Sequence, residues 1–153
     1  MSDIKNPKMD ADTLANDFKS MHGDTLPKEV IDKVVDAIHN QPLSAAATSS
    51  YGANGSLASL VIYMKAQCNV DNGKTFDGDS WGIAFPGGGA LFGDVYTDDI
   101  DGLYANTHSF AFTATPVYTA FYFFDKHSNP LGSFQAGSVS TVGGTGGGKG
   151  HWK

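Results

Sequence analysis

The side chains able to do chemistry are scattered along this chain. His22 and His39 stand near the ends of expected helices, His108 and His127 among expected strands, and His151 in the tail. They form no His-x-x-x-His zinc pair, and Cys68 is a single cysteine without a Cys-x-x-Cys partner. A lone cysteine makes no internal disulfide and carries no mark of an oxidising compartment, so Cys68 reads as a small buried hydrophobe. Asp77 and Asp79 have the residue type for an acid and base pair, but the intervening Gly78 reads as a turn. The histidines read as surface or capping residues. The expectation is a binder, not an enzyme, with no catalytic residue and no cofactor.

Two segments imitate ligand sites. Asp94 and the run Asp98-Asp99-Ile100-Asp101-Gly102 have part of a calcium-loop rhythm, yet lack the first ligand and the distal glutamate. Aspartates also favour turns, where the side chain bonds to nearby backbone, and a solvated turn is expected here rather than a metal site. The tail Gly143–Gly150 satisfies P-loop spacing at Gly143, Gly148 and Lys149. Gly150 stands where that motif needs a hydroxyl, and only His151-Trp152-Lys153 follow, too few for the helix the motif opens. The glycines are expected to let a final strand or coil pass close to neighbouring backbone, with no nucleotide bound.

Charge narrows the partners further. All 10 basic residues are lysines, every acid but Glu29 is an aspartate, and the net charge is -6. Nucleic-acid binders rely on positive fields and on the bidentate contacts of arginine, so nucleic acid is excluded as a partner. The same sign argues against simple electrostatic attachment to anionic lipid. Apolar runs such as Leu60–Met64 fall far short of the roughly 20 residues of a spanning helix. The first residues lack a basic segment followed by an apolar core, so no secretory signal is read there. The chain is then cytoplasmic, or exported by a signal-independent route to act on a host or competitor.

The chain changes character near Tyr51. Before it stand one glycine, Gly23, and one aromatic, Phe18; the remaining glycines and aromatics follow. Residues 1–41 read as a helical arm. Asp10 or Asp12 can cap a first helix with Leu14, Ala15, Phe18 and Met21 on one side, ended by Gly23. Pro27 suits the start of a second, in which Leu26, Val30, Ile31, Val34, Val35 and Ile38 recur at helical spacing. Residues 42–56 have a linker composition, with Asn54-Gly55-Ser56 expected as a turn. Residues 57–153 read as a barrel domain of short strands, at about 57–68, 79–85, 90–96, 103–106, 107–115, 117–125, 131–136 and 138–143. Val117–Phe124 and Leu60–Met64 are apolar on both faces, so something must cover their outer side, and the second helix is the nearest candidate. The interior is expected to be solid, filled by Phe85, Phe92, Phe110, Phe112, Phe121 and Phe123.

The barrel portion resembles the virulence-associated protein family of pathogenic actinobacteria, the VapA/VapB group. The residues that carry this are Pro86-Gly87-Gly88-Gly89-Ala90-Leu91-Phe92-Gly93-Asp94-Val95-Tyr96-Thr97, Leu103-Tyr104, Ser109-Phe110 and Phe123-Phe124-Asp125. Leu131-Gly132, Gln135-Ala136-Gly137-Ser138-Val139-Ser140 and the glycine tail closing on Trp152 continue it over residues 51–153. The resemblance implies a mainly β fold, a compact eight-stranded antiparallel β-barrel, here behind a two-helix N-terminal arm. It also implies an exported effector acting at membranes of the host endocytic pathway, with no catalytic residues to carry over. The chain departs from the family in lacking its secretory signal and in its helical N-terminal part.

The expected function is therefore a non-enzymatic effector that binds a membrane component or a host or partner protein. Its candidate surface comprises Val30, Val34 and Ile38 on the arm and Tyr118, Tyr122 and Phe124 on the barrel. Two other readings stay open. One is a module for a sugar or apolar ligand, using Tyr51, Trp81 or Tyr104 as stacking surfaces. The other is an assembly protein that docks through its arm.

Overall fold

A computed structural model describes residues 11–39, 49–59, 63–84, 87–137 and 144–153. Helices α1 (Ala11–His22) and α2 (Lys28–His39) form the arm. The strands are β1 (Ser49–Ser59), β2 (Tyr63–Val70), β3 (Thr75–Ala84), β4 (Gly87–Thr97), β5 (Ser109–Ala114), β6 (Tyr118–Phe124), β7 (Pro130–Gly137) and β8 (Gly144–Trp152). A short helix, α3 (Ile100–Asn106), joins β4 to β5. The strands close in the order β1-β2-β3-β8-β5-β6-β7-β4, every neighbouring pair antiparallel. The architecture is the mainly β barrel with a helical arm that the sequence implied. Among the described residues no helix is long and apolar enough to cross a membrane.

Strand alternation sets the interior. Phe110, Phe112 and Ala114 of β5 point inward, as do Phe121 and Phe123 of β6, and Phe76, Phe134, Leu57 and Met64 join them fully buried. The rings meet edge-on or tilted, Phe76 to Phe123 at 4.9 Å and Phe121 to Phe134 at 5.5 Å, the arrangements favoured by the ring quadrupole. Of the expected fillers, Phe85 lies outside the described residues. Phe92 is a correction: it points outward and is 55% exposed, because Leu91 beside it takes the inward position. Neighbours on a strand face opposite ways, so only one of the two can enter.

The glycine tail is strand β8, paired with β3 on one side and β5 on the other. Its glycines answer two close approaches. A Cβ on Gly146 would lie 2.7 Å from Phe112 Cε1, and one on Gly148 would collide with the Asp79 carbonyl. Trp152 ends the strand inside the barrel, 5.3 Å from Phe123. The segment 138–143, expected as a strand, lies outside the described residues.

Three other boundaries differ from expectation. The ladder starts at Ser49, inside the segment read as linker, and Asn54-Gly55-Ser56 lies within β1 rather than in a turn. Ala53 and Leu57 alternate inward there, and a Cβ on Gly55 would collide with the Gln67 carbonyl, so small residues serve close strand packing. The expected strand 57–68 is two strands, β1 and β2. Residues 103–106, expected as strand, belong to α3. Asp99 caps that helix by accepting from the Gly102 amide at 3.0 Å, and Leu103 is its buried anchor.

Candidate interaction site

Strand β6, Tyr-Thr-Ala-Phe-Tyr-Phe-Phe, is buried along its whole length. Its inward residues fill the barrel, while Tyr118, Ala120, Tyr122 and Phe124 face out beside Ala111 of β5. The arm covers this stripe. Leu14, Ala15 and Phe18 of α1 and Ile31, Val34, Ala37 and Ile38 of α2 pack on it as a second core. The i, i+3, i+4 recurrence in each helix makes the face, and the barrel supplies the surface that so β-branched a helix needs. Of the six residues expected as an interaction surface, Val34, Ile38, Tyr118, Tyr122 and Phe124 meet in this seam, all buried; Val30 is half-buried at its edge. Of the other segment expected under a cover, residues 60–62 lie outside the described residues. Met64 points into the barrel, and Tyr63 is half-buried with its hydroxyl donating to Asp79.

Polar contacts rim and pierce the seam. The Tyr118 hydroxyl donates to Asp17 Oδ2 at 2.7 Å, and Lys33 Nζ donates to Asn129 Oδ1 at 3.0 Å. Phe18 meets Tyr122 edge-on at 5.0 Å. Burial pushes both the Tyr118 and Tyr122 phenols well above the ordinary tyrosine range. Tyr122 Oη has no hydrogen-bond partner among the described residues.

His22 is the residue that sequence reasoning misplaced. Expected near the surface, it is 2% exposed, while Met21, expected on the inner face, is half-buried. Its ring stacks on Phe18 at 4.4 Å, and Nε2 lies 3.1 Å from Thr113 Oγ1 and 2.7 Å from Thr145 Oγ1. The Thr145 hydroxyl donates to the Phe112 carbonyl at 3.0 Å. Burial pushes the His22 ring down to about 4, against a smaller upward effect of that carbonyl. The signal was present in the spacing: Leu14, Phe18 and His22 fall four apart on one helix face. Beside it, the paired small residues Ala111 and Gly147 leave a groove of about 600 Å³, bounded by His22, Leu26, Ser109 and Phe124.

The other candidate centres lie apart from the seam. Asp77 and Asp79 lie on β3, not in a turn, two residues apart on the outer face, with Gly78 turned inward between the Phe76 and Phe110 rings. Lys65 Nζ is 2.8 Å from Asp77 and 3.3 Å from Asp79. The hydrogen bond from Lys65 holds the Asp77 carboxyl below its usual range, and that from Tyr63 does so for Asp79. Both are carboxylates at neutral pH, so neither is placed to donate a proton. Cys68 is fully buried and its thiol is pushed up by burial. Among the described residues no group of three metal-ligating side chains gathers. Tyr51 and Tyr104 pack against the barrel core, Tyr104 at 5.2 Å from Trp152, and the Trp81 side chain lies outside the described residues.

Comparison with known proteins agrees with this architecture. The sequence model of the family described as Rhodococcus equi virulence-associated protein matches residues 4–153. Among solved structures, virulence-associated protein VapB from the intracellular pathogen Rhodococcus equi is 39% identical, with a TM-score of 0.65 over 69% of this chain and 96% of its own. VapD from the same organism is 34% identical, with a TM-score of 0.67 over 69% of this chain and 97% of its own. Among curated protein sequences no match was found.

Proposed function

Given that the chain belongs to the Rhodococcus equi virulence-associated protein family, we propose that it acts without catalysis, as an effector that binds a membrane component or a partner protein. The binding surface in this reading is the outer aromatic stripe Tyr118, Tyr122 and Phe124, and the arm is its removable cover. One observation carries it. A barrel strand with large apolar side chains on both faces needs a second apolar environment, and this chain supplies one through its two N-terminal helices. Exposed aromatic stripes of this kind mark protein or membrane contacts, since tyrosine joins an apolar ring to a polar tip. The groove beside His22 favours a second reading, a small apolar ligand held at the edge of the seam.

The test compares the wild-type chain with Val34→Asp in co-sedimentation with zwitterionic lipid vesicles, and in a pull-down from host lysate. A cover predicts stronger association of the variant than of wild type. Weaker association would mean that the arm itself is the binding element. Equal, negligible association in both assays would remove the stripe as a binding surface.

A further inference from the structure

His22 joins the arm to two strands at once. Thr113 and Thr145, its hydroxyl partners, are directly paired across β5 and β8. Because the Thr145 hydroxyl donates to the Phe112 carbonyl, it meets the ring as an acceptor. A second proton on this ring would place a charge in a seam offering two hydroxyls and a carbonyl, with Phe18 stacked on its face. Burying a charge on such terms is costly. Tyr122 Oη, buried nearby without a partner among the described residues, is a second polar group that water would satisfy on opening.

We infer that the arm is an acid-operated latch: protonation of His22 detaches α1 and α2 from the barrel and uncovers Tyr118, Tyr122 and Phe124. What the uncovered stripe then binds rests on the function proposed above; the release itself does not.

The charges around the seam favour this direction. α1 brings Asp12, Asp17 and Lys19, the following turn Asp24, β6 the two tyrosines and β8 Lys149 and His151, while β5 carries no titratable side chain. Asp17 is taken by the Tyr118 hydroxyl, and α2 leaves Lys28, Glu29, Asp32, Lys33 and Asp36 exposed. Among the described residues, then, no carboxylate is hydrogen-bonded to His22 to receive its charge. A histidine held at about 4 when docked, and at its ordinary 6.5 when released, stabilises docking fully above about 6.5. That contribution is lost as the pH falls from there through about 4. Between about pH 7.5 and about pH 5 the docking constant falls roughly 25-fold.

His39 works the other way. Its Nε2 lies 2.9 Å from Asp12 Oδ1, joining α2 to α1, and the hydrogen bond to Asp12 raises its pKa. That link strengthens on acidification. The arm therefore leaves the barrel as a paired unit.

Hydrogen exchange of the full chain, corrected for intrinsic rates, tests the latch between about pH 7.5 and about pH 5. Peptides covering 11–39 should lose protection by about the same 25-fold while strands of the barrel keep theirs. His22→Gln, which keeps a donor and acceptor but cannot charge, should flatten this dependence; His39→Gln should leave it in place. Unchanged arm protection in the wild type at low pH would overturn the latch, as would an identical pH profile in His22→Gln. The wild-type series decides the matter even if His22→Gln folds poorly. Release at low pH without vesicle or partner binding would uphold the latch and overturn the proposed function instead.

Discussion

Replacing Val34 by aspartate puts the largest strain on the seam for the smallest change in the barrel. Val34 is fully buried on α2, within the cluster that includes Tyr118, Tyr122 and Phe124. The variant forfeits the burial of a valine side chain, roughly 1.5–3 kcal/mol. It also leaves an unpaired carboxylate in the docked position, at an effective cost of several kcal/mol more. Together these reach about 5 kcal/mol, comparable with the whole stability of a small domain, which lies at about 5–15 kcal/mol. The carboxylate escapes that cost if α2 leaves the barrel, whose ladder of eight strands closes on itself without a hydrogen-bonded strand from the arm. Exchange across residues 28–39 should therefore rise towards that of a free segment, and a hydrophobic dye should bind the uncovered stripe. The inner strands should stay protected and Trp152 buried. Val34→Ile, which adds one methylene at this buried position, should cost about 1–3 kcal/mol and raise exchange far less than Val34→Asp. Unaltered exchange and no dye binding in Val34→Asp would show that the seam contributes nothing to holding the arm.

Three further expectations concern the barrel and its decoys. Asp99→Ala should lose the cap of α3 and about 1 kcal/mol, a fall in Tm of roughly 2–4 °C, while added calcium leaves the Tm of wild type unchanged; a calcium-dependent rise abolished by this variant would contradict the capping role. Lys149→Ala should match wild type in showing no affinity for ATP and magnesium by calorimetry, whereas Gly148→Ala, forced against the Asp79 carbonyl, should destabilise the β3–β8 pairing. Phe76→Ala should cost about 3–5 kcal/mol in denaturant unfolding, since that ring contacts Phe110, Phe123 and Trp152; a cost below about 1 kcal/mol would mean that the interior is not filled as described.

Much of this molecule follows from local pattern. The helical recurrence of Leu14 and Phe18, and of Ile31, Val34 and Ile38, makes two amphipathic helices wherever they dock. The two-sided apolar run of β6 requires a cover on both faces. The order of strands and turns, together with the residues shared with the virulence-associated family, indicates a barrel of eight strands. These features depend on period and composition, which a chain carries unfolded.

Other features depend on which atoms meet across the fold. Leu91 and Phe92 are equally apolar neighbours, and only the register of β4 sends one inward. Asp99 could begin a turn or cap a helix, and burial of Leu103 beneath α3 selects the helix. The glycines of β8 read equally as strand or coil passing close to other backbone, and only the fold shows that the Phe112 ring and the Asp79 carbonyl are what they pass. His22 shows the difference most sharply. Its place on the apolar face of α1 was visible in the spacing. That two threonines paired across neighbouring strands would receive its ring, and burial depress its pKa, is a property of long-range contact. Sequence period tells which way a side chain points; only the packed structure decides what it meets there.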